Sequence, residues 1–234
     1  IIIEQANSIN SFAFIFALWR NNSIPILINP KFTEVEIEAV KKIAATQIIV
    51  TSKEMEGFIS KNDSLCENLL TEIENDIKLT TNDEQIAVVI ATSGTSGNIK
   101  LAKLSFKNLI SSFNNAKDII GYSSKDVWLL SLPSFHIGGF QIIMRTILSN
   151  GSAIIYDGKE TSRNFEDIFI QSNEAIPNKL SLVSTQLKRI VDNSIFAPYS
   201  ESTILAGGGP ISSDIFSKVI ELGWKIFKVY GSTE

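Results

Sequence analysis

Residues 86–100 read IAVVIATSGTSGNIK. An apolar run of five residues enters a loop in which no side chain from Thr92 to Gly97 is larger than threonine, and a lysine follows at position 100. The run reads as a strand, and the Gly/Ser/Thr cluster as the turn that ends it. Gly94 and Gly97 leave the backbone free to curl its N–H groups around an anion. Thr92, Ser93, Thr95 and Ser96 add hydroxyl donors, and Lys100 supplies countercharge. The pattern is not a Walker A loop, because Ile99 stands where that motif needs glycine beside the lysine. A flexible surface loop would not need its lysine at a fixed offset.

Downstream of the loop the periodicity alternates. It predicts strands at 86–91, 101–104, 127–132, 152–156, 180–183, 202–206 and 225–229, and helices at 106–120, 138–149, 163–173, 184–192 and 211–222. Upstream, helical spacing over 5–20, the short run IPILINP, a helix in FTEVEIEAVKKIAA and a strand in TQIIVTS repeat the rhythm. Thr33 with Glu36 three residues later is a capping box for the second of these helices. Alternating strands and helices imply parallel βαβ units with helices on both sheet faces, an α/β fold. The polar, acidic stretch 53–85, with one helix around 64–75, reads as a connection, so the expected lobes are 1–85 and 86–234.

The composition excludes several functions. The 234 residues are 44% hydrophobic and 20% charged, enough to bury a substantial core, and the net charge of −4 offers no general attraction to nucleic acid or anionic lipid. A single cysteine, Cys66, allows no internal disulfide, and no Cys/His group has metal-ligand spacing, which favours a cytoplasmic protein without structural zinc. The apolar run FAFIFALW is cut short by Arg20, so no membrane insertion is expected. The chain opens on IIIEQANS without methionine and stops at VYGSTE just after a predicted strand, so both ends are expected to be cut.

Ligands of open parallel sheets bind at the carboxyl ends of the strands. Besides the phosphate-suited loop, three unusual segments fall there. AGGGP (206–210) has three consecutive residues without Cβ, Gly207, Gly208 and Gly209, against which a flat ring can lie; a tight turn is the plainer account. YGSTE (230–234) joins an aromatic, Tyr230, to Gly231, the hydroxyls of Ser232 and Thr233, and the carboxylate of Glu234, a donor suited to Mg²⁺. PSFHIGG (133–139) places the only histidine, His136, between a strand end and a helix start, with Gly138 and Gly139 opening space. Taken together, these pieces describe a nucleoside triphosphate site.

The pattern resembles the adenylate-forming superfamily of acyl- and aryl-CoA ligases, luciferases and peptide-synthetase adenylation domains. TSGTSGNIK is similar to that family's [ST]SG[TS]TGxPK loop, with Ser96 and Ile99 as departures, PSFHIGG to its aromatic/histidine motif and YGSTE to its YGxTE adenine motif. ILINP resembles its early PLNP segment, so the resemblance spans nearly the whole chain. LPSFHIGGFQIIMRTILSNG, SLVSTQLKRI and LAGGGPIS are most similar to the o-succinylbenzoate:CoA ligase subfamily of menaquinone biosynthesis.

The resemblance implies a layered αβαβα N-terminal domain, without its C-terminal lid. It also implies a two-step reaction in which ATP and Mg²⁺ convert a carboxylic acid to an acyl-adenylate and CoA then takes the acyl group. By motif matching, Thr92 to Gly97 and Lys100 grip the phosphates, Gly207 to Gly209 and Tyr230 frame the adenine with Gly231 and Ser232, Thr233 touches phosphate, and Glu234 carries the metal. His136, Gly138, Gly139 and Arg145 are the candidates for substrate recognition. Arg145, in the otherwise apolar FQIIMRTIL, either snorkels to the surface or meets a carboxylate of a dicarboxylic substrate. Other acyl- or aryl-CoA ligases, a carrier-protein acceptor and a non-catalytic nucleotide-binding module stay open as alternatives, and so does the subunit arrangement, a homodimer included. The stretch by itself is expected not to complete the ligase reaction.

Overall fold

The computed structural model describes residues 1–51, 53–55, 84–93, 98–156, 165–169, 175–231 and 233. Cys66 and the expected helix around 64–75 lie outside these residues, as do Gly94 to Gly97, Ser232 and Glu234. The chain divides into two units, Ile1–Leu109 and Ile110–Glu234.

The first unit carries a five-stranded sheet in the order β3-β1-β2-β4-β5. Its strands are β1 (Ile2–Glu4), β2 (Ile26–Ile28), β3 (Ile49–Val50), β4 (Ile86–Ser93) and β5 (Ile99–Ser105), with helices α1 (Ile9–Arg20) and α2 (Glu34–Ala44) as crossovers. Helix α1 starts later than the predicted 5–20 because Ser8 is its N-cap, accepting from Ser11 N at 3.2 Å. Ahead of it, residues Ile2–Glu4 form the unpredicted three-residue strand β1. Phe12, Ile15 and Leu18 bury one face of α1, and the Trp19 indole donates to Ala87 O at 2.6 Å, tying the helix to β4. The capping box of α2 is present: Glu36 N donates to Thr33 Oγ1 at 3.3 Å and Thr33 N to Glu36 Oε2 at 2.7 Å. The backbone bond, then the hydroxyl bond, from Thr33 hold the Glu36 carboxyl below its ordinary range.

β4 and β5 are antiparallel, paired from Ile86↔Ser105 to Ser93↔Ile99, a pair whose direction the sequence reading left open. No helix lies between the two strands, and only a crossover of a dozen or more residues could have made them parallel. β4 also pairs with β2, which draws residues 86–105 into the first sheet. The first unit runs to Leu109.

The second unit has a wholly parallel sheet, β10-β9-β8-β6-β7, formed by β6 (Val127–Leu130), β7 (Ser152–Ile155), β8 (Lys179–Leu182), β9 (Thr203–Ala206) and β10 (Lys225–Lys228). Helix α3 (Phe106–Ile120) leads into it, and α4 (Ile137–Leu148), α5 (Ser184–Asp192) and α6 (Ser213–Glu221) are its later helices. Where a helix was expected over 163–173, the described residues contain only a 3-10 turn, Glu166–Phe169. Leu129, Leu180, Leu182, Ile204 and Ala206 make one face of the sheet and pack with Leu187 and Ile190 of α5, Val219 of α6 and Trp224. Each buried Leu, Ile or Val side chain contributes about 1.5–3 kcal/mol.

The other face is more polar. Strand alternation puts Trp128, Lys179, Ser181 and Thr203 there, all buried, and α4 contacts β6 and β8. Among the described residues, no helix is long and apolar enough to cross a membrane.

Candidate active site

In the first unit the hairpin fixes what the loop sequence leaves open. Thr92 is the register partner of Lys100, so the hydroxyl residue and the lysine stand opposite one another on the same face at the mouth of the loop. Thr92 is half-buried and Lys100 exposed. A hydroxyl donor and an ammonium on adjacent strands suit phosphate oxygens, and the antiparallel ladder holds their spacing.

In the second unit the strand order places the site. The chain passes from β6 to β7 on one side and returns to β8 on the other, so the strand order reverses between β6 and β8, where open α/β sheets form their crevice. The segment after β6 runs from Ser131 to His136, and Val183 follows β8. Gln186, in the first turn of α5, joins the two: its Oε1 accepts from Val183 N at 3.3 Å and its Nε2 donates to Ser131 O at 3.2 Å. Sequence reasoning assigned Gln186 no role, although SLVSTQLKRI was singled out.

His136 is the N-cap of α4 and has no side-chain capping bond; its carbonyl accepts from Gly139 N at 3.1 Å and Phe140 N at 3.0 Å. Its ring leans on Phe135, centroids 4.5 Å apart, and partial burial lowers its pKa. The glycines after it differ in purpose. A Cβ on Gly139 would lie 2.3 Å from Pro133 O, whereas one on Gly138 would meet only Leu132 Cδ1 at 3.5 Å. Gly139 lets α4 start against the backbone of residues 132–133.

The plainer account of AGGGP, a tight turn, is what the backbone shows. Gly208 has φ +76° and makes the turn, while a Cβ on Gly207 would come within 2.7 Å of Val229 Cγ2, so bare backbone is needed beside the end of β10. Beside Gly209 nothing lies within 4 Å of a Cβ position. Tyr230, at 104% relative exposure, leaves its ring open for stacking, Gly231 is exposed, and Thr233 is half-buried.

Arg145 does not snorkel. Its Nη1 donates to Ser181 Oγ on β8 at 3.3 Å, its guanidinium lies 5.6 Å from the Trp128 ring centroid, and its Nε is buried without a hydrogen-bond partner. No carboxylate pairs with it among the described residues. Burial lowers its pKa, against an opposing effect of Tyr122, yet a guanidinium remains charged in proteins. Trp128, Ser181 and Tyr122 carried no sequence signal for this site; only the packing of α4 on β6 and β8 reveals them.

The second unit's parallel sheet, with glycine-rich and polar turns at its carboxyl edge, is an open α/β sheet of the kind that takes ligands at its strand ends. More narrowly, the chain belongs to the AMP-binding enzyme family, the adenylate-forming enzymes, whose model matches residues 1–234. Its curated relatives include the 2-succinylbenzoate–CoA ligase of Lactococcus lactis, 31% identical over all of this chain and 51% of that protein. That of Enterococcus faecalis is 26% identical over all of this chain and 49% of that protein. The chain thus spans about half the length of the curated relatives it matches. Among solved structures, o-succinylbenzoate CoA synthetase from Bacillus subtilis in complex with the acyl-adenylate intermediate matches all of this chain and 48% of its own, at 22% identity and TM-score 0.80. The same enzyme in complex with ATP and magnesium ion matches at 21% identity and TM-score 0.79, over all of this chain and 49% of its own. These likenesses establish the α/β fold expected from the sequence.

Proposed function

We propose that the full-length protein is a cytoplasmic ligase that activates a carboxylic acid with ATP and transfers the acyl group to CoA, with o-succinylbenzoate as the acid. The observation that carries the choice of acid is the half-buried Arg145 guanidinium, which no described carboxylate neutralises. A dicarboxylic substrate offers one carboxylate for activation and a second for that cation. The names of the curated relatives support the same choice.

In the first step one carboxylate attacks the α-phosphate of ATP, giving the acyl-adenylate and pyrophosphate; in the second the CoA thiol displaces AMP. Two anions must approach one another, so positive charge and N–H donors set for the transition state lower the barrier most. Thr92 and Lys100, on adjacent strands of the hairpin, are the described part of that grip; Ser93 to Gly97 complete it in this proposal. Gly207 to Gly209 and Tyr230 frame the base, with Gly231 and Ser232, while Thr233 contacts phosphate. Magnesium supplies charge neutralisation when bound, with Glu234 as its carboxylate. Among the described residues no cluster of three His, Cys, Asp or Glu side chains could cage a metal, and an ion held by one carboxylate and substrate phosphates needs none.

The test is pyrophosphate release by the full-length protein over a carboxylate panel. A clear preference for o-succinylbenzoate is expected; preference for benzoates or fatty acids would overturn the choice of acid. In the same assay Arg145→Ala is expected to raise KM for the acid at least about tenfold, as loss of a charged hydrogen-bond partner does, with KM for ATP unchanged. Equal effects on both substrates would sink the role of Arg145.

A further inference from the structure

At the carboxyl edge of the second sheet, β6 and β8 part. They are register partners only at Trp128↔Lys179 and Leu129↔Leu180, whereas β6 stays paired with β7 as far as Leu130↔Ile155 and β8 with β9 as far as Leu182↔Ala206. The ladder therefore ends early on the side where the strand order reverses, and the sheet opens there. Past that point the half-buried Gln186 carboxamide spans the gap: it accepts from Val183 N at 3.3 Å and donates to Ser131 O at 3.2 Å. Val183 continues the chain from β8, and Ser131 continues it from β6. The partners fix the orientation of the amide, since a backbone N–H only donates and a carbonyl only accepts.

We propose that Gln186 is a positioning residue for acid recognition: its amide stands in for the missing rung of the ladder and holds the segment 131–136 at a set distance from the end of β8. The inference rests on the reading of His136 and Arg145 as acid-recognition residues given above. The segment has two anchors. At its far end Gly139 brings α4 against the backbone of residues 132–133, and His136 N donates to Pro133 O at 3.1 Å. At its near end the Gln186 amide holds Ser131. β8 carries Ser181, whose hydroxyl accepts from Arg145 Nη1 at 3.3 Å. One carboxamide thus sets His136, on the segment after β6, against Arg145, which is tied to β8. Capping alone does not call for an amide, because a glutamate at this first-turn position accepts from the backbone N–H ahead of the helix as well as a glutamine does. The bond to Ser131 O requires a donor, which a carboxylate lacks.

Two variants of the full-length protein separate the bridge from the cap, in the pyrophosphate-release assay with the acid the parent prefers. Gln186→Glu keeps an acceptor for Val183 N and loses the donor; Gln186→Met fills a similar volume and loses both, without adding charge. Expected in each is a rise of about 3- to 10-fold in KM for the acid, the worth of one neutral hydrogen bond, with kcat within about threefold and KM for ATP unchanged. Only Gln186→Met should also lower the melting temperature, through the lost cap. A rise confined to Gln186→Glu traces to the new charge and one confined to Gln186→Met to the cap, and either result overturns the bridge. So does an unchanged KM for the acid in both, or a parallel rise in KM for acid and ATP. Arg145→Ala measured alongside keeps the two ideas apart. If it raises KM for the acid and the Gln186 variants do not, the positioning role is wrong and the arginine's role stands. If it has no effect while both Gln186 variants do, the arginine's role fails and the bridge stands through His136.

Discussion

Gly139→Ala is expected to cost the full-length protein about 100-fold in kcat/KM for acid activation, whereas Gly138→Ala, one residue away, leaves it within about threefold. The added methyl would stand 2.3 Å from Pro133 O, 2.6 Å from Pro133 C and 2.7 Å from Leu132 O, all backbone atoms that no rotamer change can move aside. Helix α4 must therefore shift by roughly an ångström, and a misplacement of that size costs on the order of 10² in rate. The shift carries His136 at one end of the helix and Arg145 near the other. Overpacking of this kind also destabilises, by about 1–3 kcal/mol, so thermal unfolding should fall in parallel. At Gly138 the methyl would meet Leu132 Cδ1 at an ordinary 3.5 Å, and alanine favours a helix over glycine by roughly 1 kcal/mol. Equal behaviour of the two variants in a pyrophosphate-release assay would show that α4 does not depend on this close approach.

Lys179→Ala should lower the unfolding free energy by about 3–5 kcal/mol, the usual consequence of breaking a buried charged pair. Only 1% of Lys179 is exposed. Its Nζ donates to Ile120 O at 3.0 Å, Glu201 O at 3.3 Å and Thr203 Oγ1 at 3.2 Å, and it stands 4.0 Å from Asp126 Oδ1. Asp126 accepts in turn from Ser123 N at 2.8 Å and from Asn178 Nδ2 at 3.3 Å. The group binds the amino ends of β6, β8 and β9, opposite the edge that carries the candidate site. Urea unfolding should therefore show a large loss of stability, while KM values of the folded fraction stay near those of the parent. The double variant Lys179→Met with Asp126→Asn should recover part of the loss, since a buried pair replaced as a whole leaves no lone charge. A loss below about 1 kcal/mol in Lys179→Ala would mean that the network adds little to stability.

These two predictions mark where the sequence was legible and where it was not. Helix α3 over 106–120 and helix α5 over 184–192 coincide with their expected bounds, because amphipathic spacing is a local property. The capping box at Thr33 and Glu36 was likewise readable, since both partners lie within one turn. The pairing of β4 with β5 was not. It depends on which strand finds which partner, and the hydrophobic run IAVVI is compatible with either direction. The environment of Arg145 was hidden for a related reason: its hydrogen-bond partner Ser181 is 36 residues away in the chain. Lys179 meets Ile120 across 59 residues, and nothing in the strand KLSL announces a buried ammonium.

The sequence alone determined the α/β class, most element positions and, through the order of its small polar segments, the family. Those features are written in local spacing and in residue types that only certain turns and ligands accept. Only the tertiary structure decided that Thr92 and Lys100 are cross-strand partners, that Gly139 and not Gly138 lies against backbone, and that Arg145 is half-buried with no carboxylate paired to it among the described residues. Each of these depends on atoms brought together from distant parts of the chain, where burial and close packing, rather than local propensity, set the energy.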